Sequence, residues 1–268
     1  MAIVIAEIGE NHCGNMEWAK ELIAIAARAG CDYAKFQLYN AAKTANDDPE
    51  RDWFFRVQLD DQKIKMLIDE CRKHGIKFLC TPWDRNEAEI LKRHGVEEAK
   101  VASFLIADEE MLQYLNQIMK RVFISSGMCS FEELDRAIAL LDKVDVYLMH
   151  CVSEYPLQYQ NVNLRMMDTL RKRYPNAKIG YSDHTIGILA PVAAAARGAE
   201  VIEKHVTLDK AMEGTDHILS ADPEELFAMT EQVRIMGKLL GSPEKVITAK
   251  EKKNQAFLRN RFHHALSK

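Results

Sequence analysis

The most constraining feature of this sequence is an alternation, repeated eight times, between a short β-rich run and a longer segment with helical spacing. Residues 16–30 show the helical half, because Trp18, Leu22, Ile25 and Ala29 share one face before Gly30 ends the helix. Eight strand–helix units within about 240 residues predict a (β/α)8 barrel, the TIM-barrel class of α/β fold. The predicted strands are residues 3–8, 33–38, 76–79, 98–102, 121–125, 144–150, 178–182 and 201–204.

A doubly wound open sheet is the alternative, but it usually carries a glycine-rich phosphate loop after its first strand. Here the first strand leads into IGENHCGN, which does not match GxGxxG. Without a low-complexity linker, we expect a barrel domain at residues 1–245 and a basic tail at residues 246–268. Residues 40–60 form the longest irregular stretch, and we expect them to be a lid or a wall of the site.

Composition narrows the class of protein further. A net charge of −4 gives no reason to expect nucleic acid or an anionic membrane as a partner. No apolar run approaches the roughly 20 residues that span a bilayer, and the N-terminus lacks the features of a signal peptide. The six cysteines form no CxxC pair, so reduced thiols in a cytoplasmic protein are expected.

Polar side chains occur where every predicted strand ends, which is the active-site end of a (β/α)8 barrel. Singly they have ordinary explanations: Lys35 could reach solvent, Glu203 could pair with Lys204, and a lone histidine is more often structural. As a set they would bury several ionisable groups around one point, at a cost of several kcal/mol for each unpaired charge. A bound ligand would offset this cost, so the sequence predicts a functional centre.

The residue types indicate what this centre binds. Lys35 and Lys100 would suit a small phosphate or carboxylate anion, with hydroxyl donors from Thr81, Ser103, Ser125 and Ser126. His184 and His205 end adjacent strands and could share a divalent metal. Asp183 would orient the side chain of His184 without itself binding the metal. Oxygen ligands could come from Glu7 and Asp216.

These residues lie in motifs that resemble, in order and spacing, the N-acetylneuraminate (sialic acid) synthase family. The resemblance covers about residues 3–240 and is carried by AEIGENHCG, AKFQ, GIKFLCTPWD, AKVAS, ISSGM, HCVSEYP, IGYSDHTIG and IEKHVTLD, followed by GTDH. It implies an enzyme that condenses phosphoenolpyruvate with the open-chain aldehyde of a sugar, usually an N-acetylated hexosamine such as N-acetylmannosamine. The product would be a 2-keto-3-deoxy (nonulosonic) acid plus phosphate, and the resemblance also implies a homodimer.

The resemblance further implies roles for individual residues. A divalent metal, commonly manganese with magnesium or cobalt as alternatives, would be bound by His184 and His205. The catalytic residues would be Glu7, His184 and Asp216, since they would face the metal, its water and the acceptor. Phosphoenolpyruvate would be held by Lys35, Thr81, Lys100, Ser103, Ser125, Ser153 and Ser182, with Gln37 and Tyr155 beside it.

The sequence departs from the family pattern in two places. Members usually continue into a small antifreeze-like (SAF) domain that supplies an arginine to the partner's acceptor site. This sequence stops at FLRNRFHHALSK, so we expect a barrel without that domain. The family typically has SGD or SGE where this sequence has Ser103 followed by Phe104, Leu105 and Ile106. We therefore expect an altered sugar acceptor.

Other functions stay open at this stage. A metal-dependent pyruvate aldolase or lyase would use similar residues but would release no phosphate. A barrel-only relative could act on a non-N-acetylated or phosphorylated aldose. A non-catalytic binding barrel is disfavoured, because it would have no reason to keep a complete charged centre: Glu7, Lys35, Lys100, His184 and His205.

Overall fold

The computed structural model describes residues 2–261 and confirms the (β/α)8 barrel. Each of the eight predicted strands is present, with bounds that agree to within three residues. They are β1 Ile3–Gly9, β2 Tyr33–Leu38, β3 Lys77–Pro82, β4 Glu98–Val101, β5 Arg121–Ser125, β6 Asp145–Cys151, β7 Lys178–Asp183 and β8 Val201–His205.

All paired strands are parallel, in the order β3-β2-β1-β8-β7-β6-β5-β4, and the end strands β3 and β4 pack together so that the barrel is nearly closed. The largest difference from prediction is in β3, which continues past Leu79. Its pairing with β2 places Thr81 opposite Gln37 and Pro82 opposite Leu38. Hydrogen bonding to a neighbour therefore extends this strand to the mouth of the barrel.

Helices surround the barrel and cover its outer face with one large apolar core. Ser130 and Glu133 form a capping box at the start of the helix that follows β5, and Pro223 opens the helix that follows β8. The helices are α1 Met16–Arg28, α2 Arg51–Val57, α3 Asp61–His74, α4 Arg85–Arg93, α5 Glu109–Ile118, α6 Phe131–Leu140, α7 Met166–Arg173, α8 Leu189–Ala196, α9 Pro223–Leu239 and α10 Ala249–Arg261.

The barrel interior is layered, because successive side chains along a strand point to opposite faces. Its middle is filled by an apolar cluster of Ile5, Tyr33, Leu79, Phe123, Tyr147, Met149 and Val201. Two positions further along the same strands, toward the mouth, the inward residues become polar: Glu7, Lys35, Thr81, Ser125 and Glu203. The apolar middle layer therefore forms the floor on which a polar layer rests.

Glu203 and Lys204 face opposite sides of β8, so the possible pairing between them does not form. Lys204 lies outside the barrel wall, fully buried, and donates to Asp183 Oδ2 at 2.6 Å and to the Thr185 carbonyl. Asp183 Oδ1 also accepts from the Tyr181 hydroxyl at 2.7 Å. This buried ion pair ties the end of β7 to β8 on the outer side of the barrel wall.

The stretch 40–60 and the tail differ in their relation to the barrel. The stretch contains α2, and two of its residues, Glu50 and Phe54, line the central cavity, as expected of a site wall. The predicted basic tail includes α10, while its residues 262–268 lie outside the described part of the chain. All six cysteines are free thiols. Among residues 2–261, the helices are too short or too polar to cross a membrane.

Removing one partner of the buried pair should destabilise the barrel strongly. We expect Asp183→Asn to lower the free energy of unfolding by about 3–5 kcal/mol, because the Lys204 ammonium is left buried without a counter-charge. The double variant Asp183→Asn/Lys204→Met should recover much of this loss, because no unpaired charge remains. Urea denaturation of the wild type, both single variants and the double variant measures the coupling.

The control is Asp69→Asn, which breaks an exposed ion pair with Lys65 on α3. Because water already solvates both charges, its denaturation midpoint should stay close to that of the wild type. Equal effects of Asp183→Asn and Asp69→Asn would contradict the assignment of the buried pair.

Candidate active site

The mouth of the barrel encloses a cavity of about 400 Å³ at the C-terminal ends of the strands. Thirteen of the residues predicted for the site line this cavity: Glu7, Lys35, Gln37, Thr81, Lys100, Ser103, Ser125, Ser153, Tyr155, Ser182, His184, His205 and Asp216. Ser126 is not among the lining residues, because its hydroxyl donates to the Met149 carbonyl at 3.1 Å.

The floor of the cavity is a buried cluster of two ammonium groups and two carboxylates. Lys35 Nζ lies 2.8 Å from Glu7 Oε2 and 3.8 Å from Glu203 Oε2. Lys100 Nζ lies 3.6 Å from Glu203 Oε1 and donates to Ser125 Oγ at 2.6 Å. Glu203 therefore bridges the two lysines from β2 and β4. The cluster is close to electrically balanced before any ligand enters.

The two carboxylates of this cluster have opposite pKa shifts. Burial raises the pKa of Glu7 to about 7, although Lys35 acts against it. Burial acts in the same direction on Glu203, but Lys100 and Lys35 outweigh it and bring its pKa down to about 2. Glu203 is therefore the permanent counter-charge of the lysines, whereas Glu7 is able to exchange a proton near neutral pH.

Hydroxyl groups surround this floor at close range. Thr81 Oγ1 accepts from Lys35 at 3.3 Å, and Ser182 donates to Glu203 Oε1 at 3.0 Å. Ser103 Oγ accepts from the backbone N–H of Gly127 at 3.0 Å. A Cβ atom at position 127 would lie 2.7 Å from Ser103 Oγ and would overlap Ser153 Oγ. Glycine is thus required here so that both serine hydroxyls can reach the cavity.

The two predicted metal-binding histidines lie side by side, with ring centres 5.5 Å apart. His184 Nδ1 is 2.8 Å from the Val152 carbonyl oxygen. Because a carbonyl oxygen only accepts, Nδ1 carries the proton and Nε2 keeps its lone pair for a ligand. The predicted role of Asp183 is therefore wrong: a backbone carbonyl orients His184, and Asp183 belongs to the ion pair outside the barrel.

Both imidazoles suit a divalent metal. Burial lowers the pKa of His184 to about 4 and that of His205 to about 3, so both are neutral at pH 7, as metal ligands must be. His205 Nδ1 is buried without a hydrogen-bond partner, and its 3.3 Å contact with Asp216 Oδ2 is not a directed bond. Within residues 2–261, no three His, Cys, Asp or Glu side chains converge on a ready-made site. A metal here would therefore complete its shell with oxygens from water or substrate.

One wall of the cavity is aromatic. Trp83 packs edge-on against Phe104, with ring centres 5.1 Å apart, and its Nε1 donates to Gln37 Oε1 at 3.3 Å. Gln37 Nε2 in turn donates to Glu7 Oε1 at 3.2 Å. Of the apolar residues that follow Ser103, only Phe104 reaches the cavity, while Leu105 and Ile106 are buried in the outer core.

The sequence prediction missed the residues at the outer end of the cavity, chiefly Glu10, Glu50, Phe54, Met128 and Thr215. These residues belong to segments beyond the strand ends, where alternation gives no guide to direction. A partial signal existed for Glu10, which directly follows the end of β1, where polar site residues were expected.

A (β/α)8 barrel whose mouth gathers lysines, carboxylates and neutral imidazoles around a cavity belongs to the class of barrel enzymes. Comparison with known proteins identifies the family within this class. Residues 22–245 match the NeuB family, so the chain belongs to that family. Its relatives in the family include named synthases, and the chain is an enzyme of this kind.

Three similar proteins illustrate the relationship. The chain is 36% identical to an N,N'-diacetyllegionaminic acid synthase of Campylobacter jejuni, covering 94% of this chain and 81% of the relative. It is 34% identical to the N-acetylneuraminate-9-phosphate synthase of Homo sapiens, covering 90% and 72%. The crystal structure of a sialic acid synthetase from Leptospira borgpetersenii, in complex with citrate, superposes with a TM-score of 0.91 at 33% identity, covering 98% and 92%.

The close packing around Gly127 gives a test of the anion site. Gly127→Ala should displace the hydroxyls of Ser103 and Ser153 and weaken phosphate binding by about tenfold, the equivalent of one lost hydrogen bond. Isothermal titration with inorganic phosphate measures the effect. Gly95→Ala is the control for a general loss of stability, because a Cβ there meets nothing within 4 Å but is strained by the positive φ of 72°. Unchanged phosphate affinity in Gly127→Ala would contradict the role given to these serines.

Proposed function

We propose that this enzyme condenses phosphoenolpyruvate with the aldehyde group of an aldose to give a 2-keto-3-deoxy acid and inorganic phosphate. The observation that carries the proposal is the pair of buried lysines, Lys35 and Lys100, which point into one cavity among hydroxyl donors. The names of the relatives support it, since they are synthases of legionaminic, pseudaminic and neuraminic acids or their phosphates.

In this proposal the floor of the cavity binds phosphoenolpyruvate. Lys35 and Lys100 each keep ammonium N–H groups beyond those used by the glutamates, and these would bond the carboxylate and phosphate of the substrate. Hydroxyls would complete the anion shell on the same side, from Thr81, Ser103, Ser125, Ser153 and Ser182. The acceptor aldose would then lie above, toward Tyr155, Trp83 and Asp216.

The reaction begins when C3 of phosphoenolpyruvate bonds to the aldehyde carbon and positive charge develops at C2. Water adds at C2, and Glu7, with its pKa of about 7, takes the proton from that water. Glu7 then returns this proton to the oxygen derived from the aldehyde. The tetrahedral C2 centre expels phosphate by cleavage of its C–O bond, and the C2 hydroxyl proton leaves with the phosphate. Lys35 and Lys100 stabilise the anionic groups throughout.

We also propose that His184 and His205 hold a divalent metal, with manganese as the first candidate and magnesium or cobalt as alternatives. Their neutral state and the proton on His184 Nδ1 support this role. Bound there, the metal would polarise the aldehyde oxygen as a Lewis acid. Asp216, 3.3 Å from His205, would receive a water or an acceptor hydroxyl beside it.

The test is phosphate release from phosphoenolpyruvate with manganese across N-acetylated hexosamines, free sugars and phosphorylated sugars. We expect release that depends on an aldose and falls by two to three orders of magnitude, roughly, in His184→Ala. His94→Ala is the matched control. His94 follows the last residue of α4, pairs with Asp61 and does not line the cavity. Consumption of pyruvate with an aldose and no phosphate release would instead identify an aldolase.

The metal has its own test, independent of turnover. The wild type should bind Mn²⁺ stoichiometrically in a titration that follows free Mn²⁺ by electron paramagnetic resonance. In His205→Ala the affinity should fall by about 100-fold or more, because one of two imidazole ligands is lost. His94→Ala should bind as the wild type does. Full activity after dialysis against EDTA would exclude a metal requirement.

A further inference from the structure

Glu10 stands at the outer end of the cavity, held in a fixed direction by two aromatic residues. Its Oε1 accepts from the Tyr39 hydroxyl at 2.6 Å, and its Oε2 accepts from Trp53 Nε1 at 2.6 Å. Tyr39 is buried and packs against Trp83, with ring centres 4.4 Å apart and the rings tilted by 37°. A surface glutamate would sample many rotamers, whereas this one is held by two hydrogen bonds while it lines the cavity, and each carboxylate oxygen can accept a further bond.

The outer end of the cavity is acidic. Glu50 and Asp216 line it together with Glu10, and burial, the largest influence, raises the pKa of Glu10, with Asp216 and Glu50 adding to the rise. Across all residues that line the cavity in the described chain, five are carboxylates and two are lysines. Both lysines lie on the floor, where they are paired with Glu7 and Glu203. Among the described residues, the outer end is therefore lined by carboxyl groups and by no lysine or arginine.

Two cationic side chains near this end, those of Arg56 and Lys43, interact with other groups. The Arg56 guanidinium lies over the Trp53 ring at 4.4 Å and pairs with Glu213 at 3.1 Å, and it does not line the cavity. Lys43, from the same 40–60 stretch, pairs with Asp84. A phosphate group on the far end of a substrate would thus meet carboxylates of like charge, and no lysine or arginine among the described lining residues of this end would pair with it.

The outer end of the cavity is well suited to the uncharged hydroxyl and amide groups of a sugar. The carboxylates of Glu10 and Asp216 accept hydrogen bonds from hydroxyls or N–H groups. The aromatic faces of Trp83, Phe104 and Phe54 supply apolar surface for the C–H groups of a sugar chain. The relatives include both kinds of synthase, one of them named for a 9-phosphate product.

We propose that Glu10, fixed by Tyr39 and Trp53, is a specificity-determining residue that contacts the far end of the acceptor and restricts the enzyme to aldoses without a phosphate group there. This inference rests on the proposed condensation and identifies the class of its second substrate. Glu50 and Asp216 contribute to the same selection through their charge.

The experiment compares matched acceptors with and without a terminal phosphate, in the phosphate-release assay with manganese. The pairs are N-acetylmannosamine and its 6-phosphate, mannose and its 6-phosphate, and arabinose and its 5-phosphate. For the wild type, kcat/KM should favour the unphosphorylated member by about tenfold or more. Glu10→Gln should reduce this ratio severalfold while the KM for phosphoenolpyruvate stays unchanged, because the floor of the cavity is untouched.

Two further variants provide a second test of the charge effect and a control. Glu50→Gln, at an exposed position on the same end, should reduce the ratio in the same direction and covers the case in which Glu10→Gln fails to fold. Glu21→Gln, exposed on α1 and distant from the cavity, should leave the ratio at the wild-type value. A merely structural role for Glu10 would lower kcat/KM equally for both members of a pair, and an unchanged ratio would overturn the proposal.

The possible results distinguish a failure of the role proposed for Glu10 from a failure of the proposed condensation. Aldose-dependent release that favours phosphorylated acceptors would overturn the role of Glu10 and leave the condensation standing. No release with any aldose would overturn the proposed condensation, and the inference with it. Preference for unphosphorylated acceptors that weakens in Glu10→Gln and Glu50→Gln supports both.

Discussion

The site depends on one buried electrostatic arrangement, in which Glu203 lies between Lys35 and Lys100 inside the barrel. Each lysine alone would be costly to bury, and burial does lower the pKa of Lys100. The shared carboxylate reduces that cost, so both ammonium groups can stay charged on a floor of apolar side chains. A pair of fixed cations deep in a barrel is in turn what makes binding of a small dianion possible.

Several residues of the cavity floor could be predicted from the sequence for a physical reason, although Glu203 was not assigned to the site. In a parallel barrel, the position of a residue along its strand fixes both its depth and its face. Lys35 and Thr81 follow the inward residues Tyr33 and Leu79 by two positions, and both point into the cavity. The same rule places Glu203 and Lys204 on opposite faces of β8. A pairing between these two neighbours, which the sequence left open, is therefore not possible.

Where the chain leaves the strands, the sequence predicted a wall of the site at residues 40–60 but not which side chains face the cavity. The stretch 40–60 folds into a short helix that brings Glu50 and Phe54 to the cavity, and no periodicity marks those residues as inward. Asp183 was wrongly assigned to His184, because adjacency in sequence is not adjacency in space at a strand end. Of the three apolar residues after Ser103, only Phe104 faces the site, since a single 3₁₀ turn directs the other two into the core.

This contrast between strands and loops also divides the two substrate ends of the site. Five of the seven residues that would hold phosphoenolpyruvate sit on strands, so changing one of them disturbs the barrel: Lys35, Thr81, Lys100, Ser125 and Ser182. Residues at the acceptor end, such as Glu10 and Glu50, are supported by local contacts and can be exchanged without that penalty. A family that keeps one reaction but varies its sugar would therefore change the outer end first, which is where this chain presents a fixed carboxylate and an aromatic wall.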